Sequence, residues 1–165
     1  MDRLILLRHG RAEPDSKTGD DFDRTLTMGG VRQAAAAGAS LADMGFQPDV
    51  ALVSPAIRAM QTWEAASGAF PSARAEFESN LYHAEQGAIR WFAERAGRAN
   101  RTVMVVGHNP GLQDLAVTLL IEGSAPAGVI ARVQRGFPTA AAAVFLFDLN
   151  GRPHFDGLFF PESDA

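Results

Sequence analysis

Leu4-Ile5-Leu6-Leu7, followed directly by Arg8-His9-Gly10-Arg11, decides how this 165-residue chain is read. Four apolar residues in a row, with no polar alternation, describe a short strand covered on both faces. The run stops at a cation, an imidazole and a glycine. In a sheet flanked by helices, ligands bind just past the strands' carboxyl ends, and His9 stands at such a position. No acid occurs between Asp2 and Glu13, whereas Arg3, Arg8 and Arg11 do. A chain of net charge −4 thus gathers positive charge around one histidine, as an anion site requires.

The same pattern recurs twice. Val50 to Val53 is a second apolar run, followed by Ser54-Pro55, a helix cap and a proline suited to the first helical position. That start places Arg58 one turn inside the helix, which carries Met60, Trp63 and Ala66 and stops at Gly68. Val103 to Val106 is a third run, followed by Gly107-His108-Asn109-Pro110-Gly111. In a parallel sheet the three junctions share one edge, so Arg8, His9, Arg58 and His108 surround one cavity.

The remaining segments fit around these junctions. Residues 12 to 25 read as a surface loop, and Thr27 caps a helix running through Val31, Ala34 and Leu41 to Gly45. Residues 73 to 79 form a weak strand suited to a sheet edge. Ile89, Phe92, Ala93 and Ala96 share one helical face, as do Leu112, Leu115, Ala116 and Leu119. Residues 124 to 139 are rich in Gly, Pro and Ala, with one helical turn near 129 to 135. Asn150-Gly151 joins strands at 142 to 149 and 152 to 159 as a hairpin. The expected fold is a three-layer α/β/α arrangement over residues 1–165, one domain, with a mostly parallel central sheet and antiparallel pairing at its end.

Composition narrows the function. Hydrophobic residues make up 47% and charged ones 21%, an ordinary globular balance, and the acidic net charge speaks against bulk nucleic-acid binding. No cysteine is present, which removes disulfides, thiolate metal sites and thiol nucleophiles. The apolar runs are too short for a signal peptide or a membrane helix, so a cytoplasmic protein with no membrane partner is expected.

The three junctions suggest phosphoryl transfer through a histidine. A neutral imidazole nitrogen is a nucleophile at pH 7, and covalent catalysis divides one displacement into two easier ones. Arg8 and Arg58 disfavour a second proton on His9 and can clamp phosphate oxygens bidentately. His108 can donate to an equatorial oxygen, and the helix starts at the second and third junctions favour an anion. Two imidazoles beside two guanidinium groups repel a divalent ion, so neither metal nor cofactor is expected.

Leu7-Arg8-His9-Gly10 resembles the RHG signature of the histidine phosphatase superfamily, which includes the phosphoglycerate mutases. Ser54 to Thr62 resembles that family's second arginine motif, and Gly107-His108-Asn109-Pro110 its second-histidine motif. Asp23-Arg24-Thr25-Leu26-Thr27 with Gly30, and Phe137-Pro138-Thr139, resemble the SixA-type phosphohistidine phosphatases. The resemblance implies a phosphoglycerate mutase-like fold, with His9 as the transiently phosphorylated nucleophile. Arg8, Arg58 and His108 complete the phosphate pocket by the same resemblance, with Arg24 and Asn109 as further contacts. Larger members carry a glutamate acid in the loop after the third strand. Here that loop reads Leu81-Tyr82-His83-Ala84-Glu85, which leaves His83 or Glu85 as the acid, or none. An imidazole leaving group needs less acid help than an alkoxide, which points towards phosphohistidine in a signalling or phosphotransfer protein.

Plainer readings stand beside these. A lone histidine at a strand end is ordinarily structural, but the neighbouring arginines and two matching junctions override that for His9. Arg11 reads as a solvated charge, His154 as a surface residue, and Trp63 and Trp91 as ordinary apolar positions. The functional alternatives are a small-molecule phosphomonoesterase of the same fold, an idle phosphoprotein-binding module and, last, a mutase. His9 is expected at the rim of the fold rather than in its core.

Overall fold

The computed structural model describes residues 1–162, so the last three residues of the expected 1–165 domain lie outside the described residues. The chain runs β1 (Arg3–Arg8), α1 (Met28–Asp43), β2 (Val50–Val53), α2 (Ile57–Ala66), β3 (Arg74–Phe77), α3 (Gln86–Ala96), β4 (Thr102–Gly107), α4 (Gly111–Glu122), α5 (Ala127–Arg135), β5 (Ala142–Phe147) and β6 (Pro153–Phe159). One six-stranded sheet has the order β3-β2-β4-β1-β5-β6. Its first four strands are mutually parallel, and β5 and β6 extend it by antiparallel pairing, as expected from the hairpin signal.

Both sheet faces are covered, which is why the strands read as unbroken apolar runs. Leu4 and Leu6 join Val103, Val105, Leu112, Leu115 and Val133 in a core beneath α3, α4 and α5. Ile5 and Leu7 point the other way, to Ala37, Leu41, Trp63 and Phe70 beneath α1 and α2. The period of two along β1 therefore supplies both cores. Emptying any of these fully buried leucine positions costs about 2–5 kcal/mol.

Register brings the junctions level. Arg8 pairs opposite Gly107, and Val53 opposite Val106, so β1, β4 and β2 end together. Beyond them the His9 N–H donates to the Gly107 carbonyl at 3.1 Å, and the His9 carbonyl accepts from Ala140 at 2.9 Å. Thr27 caps α1 as expected, its hydroxyl accepting from the Gly30 N–H at 2.9 Å.

Four expectations need correction. Helix α2 starts at Ile57 rather than Ser54-Pro55: Ala56 is its cap residue and makes no side-chain capping bond. It ends at Ala66, and residues 67–69 form a separate 3₁₀ turn before the stop expected at Gly68 is complete. The single turn near 129 to 135 is a nine-residue helix, α5, because Val133 is buried against the α4 side of the sheet. His9 is only 7% exposed and belongs to the buried floor of the sheet edge, since strand and loop backbone hold it on both sides.

Candidate active site

A cavity of about 380 Å³ lies over the carboxyl ends of β1, β2 and β4. Arg8, His9, Arg58, His108 and Asn109 line it together with Arg24 and His83, so residues from five separate segments meet there. Arg11 and Asp21 line it as well. The side chain of Arg11 is exposed but borders the site, closer to it than a plain surface charge.

His9 is oriented by its own loop. Its Nδ1 lies 2.7 Å from the Gly10 carbonyl oxygen. A carbonyl only accepts, so Nδ1 carries the proton and Nε2 keeps the lone pair. Burial lowers the His9 pKa to about 4, with Arg8, Arg58 and Arg24 adding smaller contributions against the Gly10 bond. The sequence reading named the arginines as the cause; desolvation is the larger one.

The second histidine is locked differently. His108 Nε2 lies 2.8 Å from the Ser54 hydroxyl, and the His9 and His108 rings are 5.2 Å apart. Burial, then His9 and Arg58, push its pKa down to about 3. Ser54 thus spends its hydroxyl on a histidine rather than on capping α2.

The arginines are held by carbonyls and by one acid. Arg8 Nη1 donates to the Phe137 carbonyl at 2.9 Å, and Asn109 Nδ2 donates to the same oxygen at 2.9 Å. Arg58, 3% exposed on the second residue of α2, donates to the Asp21 main-chain oxygen at 2.8 Å and to its carboxylate at 3.0 Å. Arg24 reaches the same carboxylate at 2.9 Å and the Glu13 carbonyl at 2.9 Å. Thr62 bridges the Arg58 carbonyl and the Gly10 N–H, which ties α2 to the His9 loop.

Among the described residues, four buried side-chain atoms make no hydrogen bond: Arg8 Nε, Arg58 Nε, His108 Nδ1 and Asn109 Oδ1. Buried polar atoms without partners are uncommon, and here every one belongs to a residue lining this cavity. Two are cationic donors, the pattern expected of a site set for an anion.

Asp21 and Tyr82 were not singled out from sequence. The Tyr82 hydroxyl donates to the Asp21 carboxylate at 2.6 Å, and that bond, with Arg24 and Arg58, holds the carboxyl well below the usual range. The available signal was the run Asp20-Asp21-Phe22-Asp23 beside Arg24. His83 adopts a left-handed backbone (φ 56°) and is largely exposed, its Nε2 3.6 Å from Asp21. Glu85 precedes α3 and lies outside the cavity lining. No group of three or more His, Cys, Asp or Glu among the described residues is arranged to hold a metal ion. No helix among them is long and apolar enough to cross a membrane.

Comparison with known proteins shows the family and the fold. The sequence pattern of the histidine phosphatase superfamily (branch 1) matches residues 4–89, the span that carries His9 and Arg58. The chain belongs to that superfamily. An uncharacterised protein of Mycobacterium tuberculosis is 36% identical over 139 residues, 84% of this chain and 85% of that one. A structure assigned as the phosphohistidine phosphatase SixA from Agrobacterium tumefaciens superimposes with a TM-score of 0.81 at 29% identity, covering 97% of this chain and 98% of that one. A 2,3-bisphosphoglycerate-dependent phosphoglycerate mutase of Zymomonas mobilis is 29% identical over 170 residues, all of this chain and 65% of the mutase. The phosphoglycerate mutase-like fold and the SixA-type likeness expected from the motifs are both found in this superfamily member.

Proposed function

We propose that this superfamily member is a phosphatase that works through a phosphohistidine formed on His9, and that its substrate is phosphohistidine in a signalling or phosphotransfer protein. The observation that carries the mechanism is the Nδ1–H bond to Gly10, which leaves the Nε2 lone pair on a neutral ring lining a cationic cavity.

In the first step Nε2 of His9 forms a bond to phosphorus while the bond to the leaving nitrogen breaks, and the departing imidazole takes a proton. Arg8, Arg58 and Arg24 balance the charge on the transferring oxygens, His108 binds one of them, and Asn109 fixes the wall beside Arg8. In the second step water displaces His9 and releases phosphate. The arginines do the neutralising, so by this reading no metal takes part. Asp21 is held ionised and is no acid; by this reading His83, which lines the cavity, passes a proton to the leaving group. Likeness to the SixA structure supports a phosphohistidine substrate.

The test is to offer a ³²P-labelled phosphohistidine protein and, separately, a panel of phosphate esters. Acid-labile label on wild-type enzyme and none on His9→Ala supports the nucleophile. Likeness to a mutase favours a second reading, turnover of small phosphate esters. Efficient ester hydrolysis with no action on phosphohistidine would establish that reading instead, and binding without any label would mark an idle binding module.

A further inference from the structure

Arg8 and Asn109 border two cavities at once. Besides the one over His9, they line a neighbouring hollow of about 530 Å³, whose other walls include Gln113, Arg132, Arg135 and Phe160. Among the described residues no Asp or Glu lines it. In a chain of net charge −4, three guanidinium groups therefore surround one surface hollow with no carboxylate of the described residues among them.

Elsewhere Arg3 pairs with Asp156, Arg74 with Glu76, and Arg90 with Glu94 and Glu122, whereas Arg98 and Arg101 pair with no described acid. Arg132 and Arg135 form no ion pair with any described residue. Basic residues in the last turn of a helix answer its carbonyl end, which accounts for their sign. It does not account for their sharing a hollow with Arg8.

The hollow is built on a fixed frame. Gln113 of α4 donates to the Val133 carbonyl at 2.9 Å and to the Gln134 carbonyl at 3.3 Å, tying down the end of α5. Phe137 closes the wall through its carbonyl, gripped by both Arg8 and Asn109. The Arg132 guanidinium lies 4.4 Å from the centre of the Phe160 ring. A guanidinium held over an aromatic face keeps its in-plane N–H groups for a carboxylate. Arg132 and Arg135 are one turn apart and both exposed, so they present a row of charge along an open surface rather than a closed clamp. A row suits carboxylates spaced along a chain.

We propose that this second hollow receives acidic residues flanking the phosphorylated histidine of the substrate protein, with Arg132 and Arg135 as its specificity-determining residues. The inference rests on the phosphohistidine reading above for the identity of the substrate. Arg8 is the hinge between the two sites, one guanidinium bordering both the phosphoryl group and the residues beside it. Attraction of this kind weakens as salt screens the charges.

The experiment uses two histidine peptides of equal length, one with Asp and Glu around the histidine and one with Asn and Gln there. Each is measured unphosphorylated, for binding by fluorescence anisotropy, and phosphorylated, for kcat/KM. Wild type is expected to favour the acidic peptide in both by about fivefold or more, a preference that shrinks at high salt. R132A/R135A removes the preference and leaves the neutral peptide unchanged, and R132K/R135K restores part of it. R98A/R101A removes two exposed arginines remote from the hollow and keeps the preference. Equal binding of the two peptides by wild type overturns the inference, as does an equal loss in R98A/R101A. Acid-selective binding that R132A/R135A abolishes, without turnover of either phosphopeptide, upholds the subsite and sinks the phosphohistidine reading instead.

Discussion

Asp21 Oδ2 lies 3.0 Å from Arg58 Nη2, so a carboxylate already engages the guanidinium proposed to bind phosphate. Arg58 is also held by the Asp21 main-chain oxygen at 2.8 Å, and its Nε makes no bond. The arginine thus has a main-chain anchor besides the carboxylate, and the carboxylate adds negative charge beside a site for an anion. Two like charges about 6 Å apart near a protein surface repel by about 1–3 kcal/mol. Asp21→Asn keeps an acceptor for Tyr82 and is expected to tighten inorganic phosphate binding about tenfold by titration calorimetry. Weaker binding would mean that the carboxylate's main work is holding Arg58.

Ser54 is fully buried and its hydroxyl meets His108 Nε2. Ser54→Ala strands that nitrogen in the interior, at a cost of about 1–3 kcal/mol. The lower unfolding midpoint should come with a kcat that falls more than KM rises, because the ring loses its orienting bond rather than its place. A stability loss with unchanged kcat would show that His108 needs no alignment from Ser54.

The sheet was legible because β1, β2 and β4 are buried on both faces, and such strands announce themselves as apolar runs, here ending at Arg8, Ser54 and Gly107. The meeting of Arg8, His9, Arg58 and His108 followed from parallel topology alone. Asp21 was hidden because its loop has no period, and its place is set by contacts with Arg58 and Tyr82 from far along the chain. Ser54 was misread for a related reason. A Ser-Pro pair before a helix carries the same local signal whether its hydroxyl caps the helix or serves a histidine 54 residues away. Helix α5 was blurred by Gly128, whose low helical propensity is overcome by burying Val133.

Buried neutral histidines set a stability window. Above pH about 6.5 His9 is neutral in both the folded and unfolded chain, so its contribution does not change with pH. Between about 6.5 and 4 the unfolded chain takes up a proton that the fold refuses, and stability falls as pH falls. The limiting slope is about 1.4 kcal/mol per pH unit per histidine, and His108 acts over the same window and on to about pH 3. Asp21 contributes only lower down: its stabilisation is present above the ordinary carboxylate pKa and is lost as pH falls through its depressed folded value. Urea unfolding at pH 7, 6 and 5 should show the decline, and His9→Asn should about halve it, because His108 still contributes. A wild-type stability constant from pH 7 to 5 rules the account out.

Gly10 and Gly30 are packed backbone to backbone, which explains the glycine that follows His9. A Cβ on Gly10 would run into the Gly30 carbonyl, and one on Gly30 into the Arg11 carbonyl. Neither obstacle is a flexible side-chain end, so accommodation means moving α1 or the His9 loop. Gly10→Ala is therefore expected to cost about 1–3 kcal/mol and to lower kcat, because the Gly10 carbonyl that fixes the His9 tautomer moves with it. Gly87→Ala supplies the opposite sign. Gly87 lies in the first turn of α3 with nothing within 4 Å of an added Cβ, so alanine there should stabilise by about 0.5–1 kcal/mol and leave the rate unchanged. Thermal unfolding with turnover on both variants separates the two glycines. If Gly10→Ala keeps both its midpoint and its rate, the loop has slack that the packing against Gly30 denies.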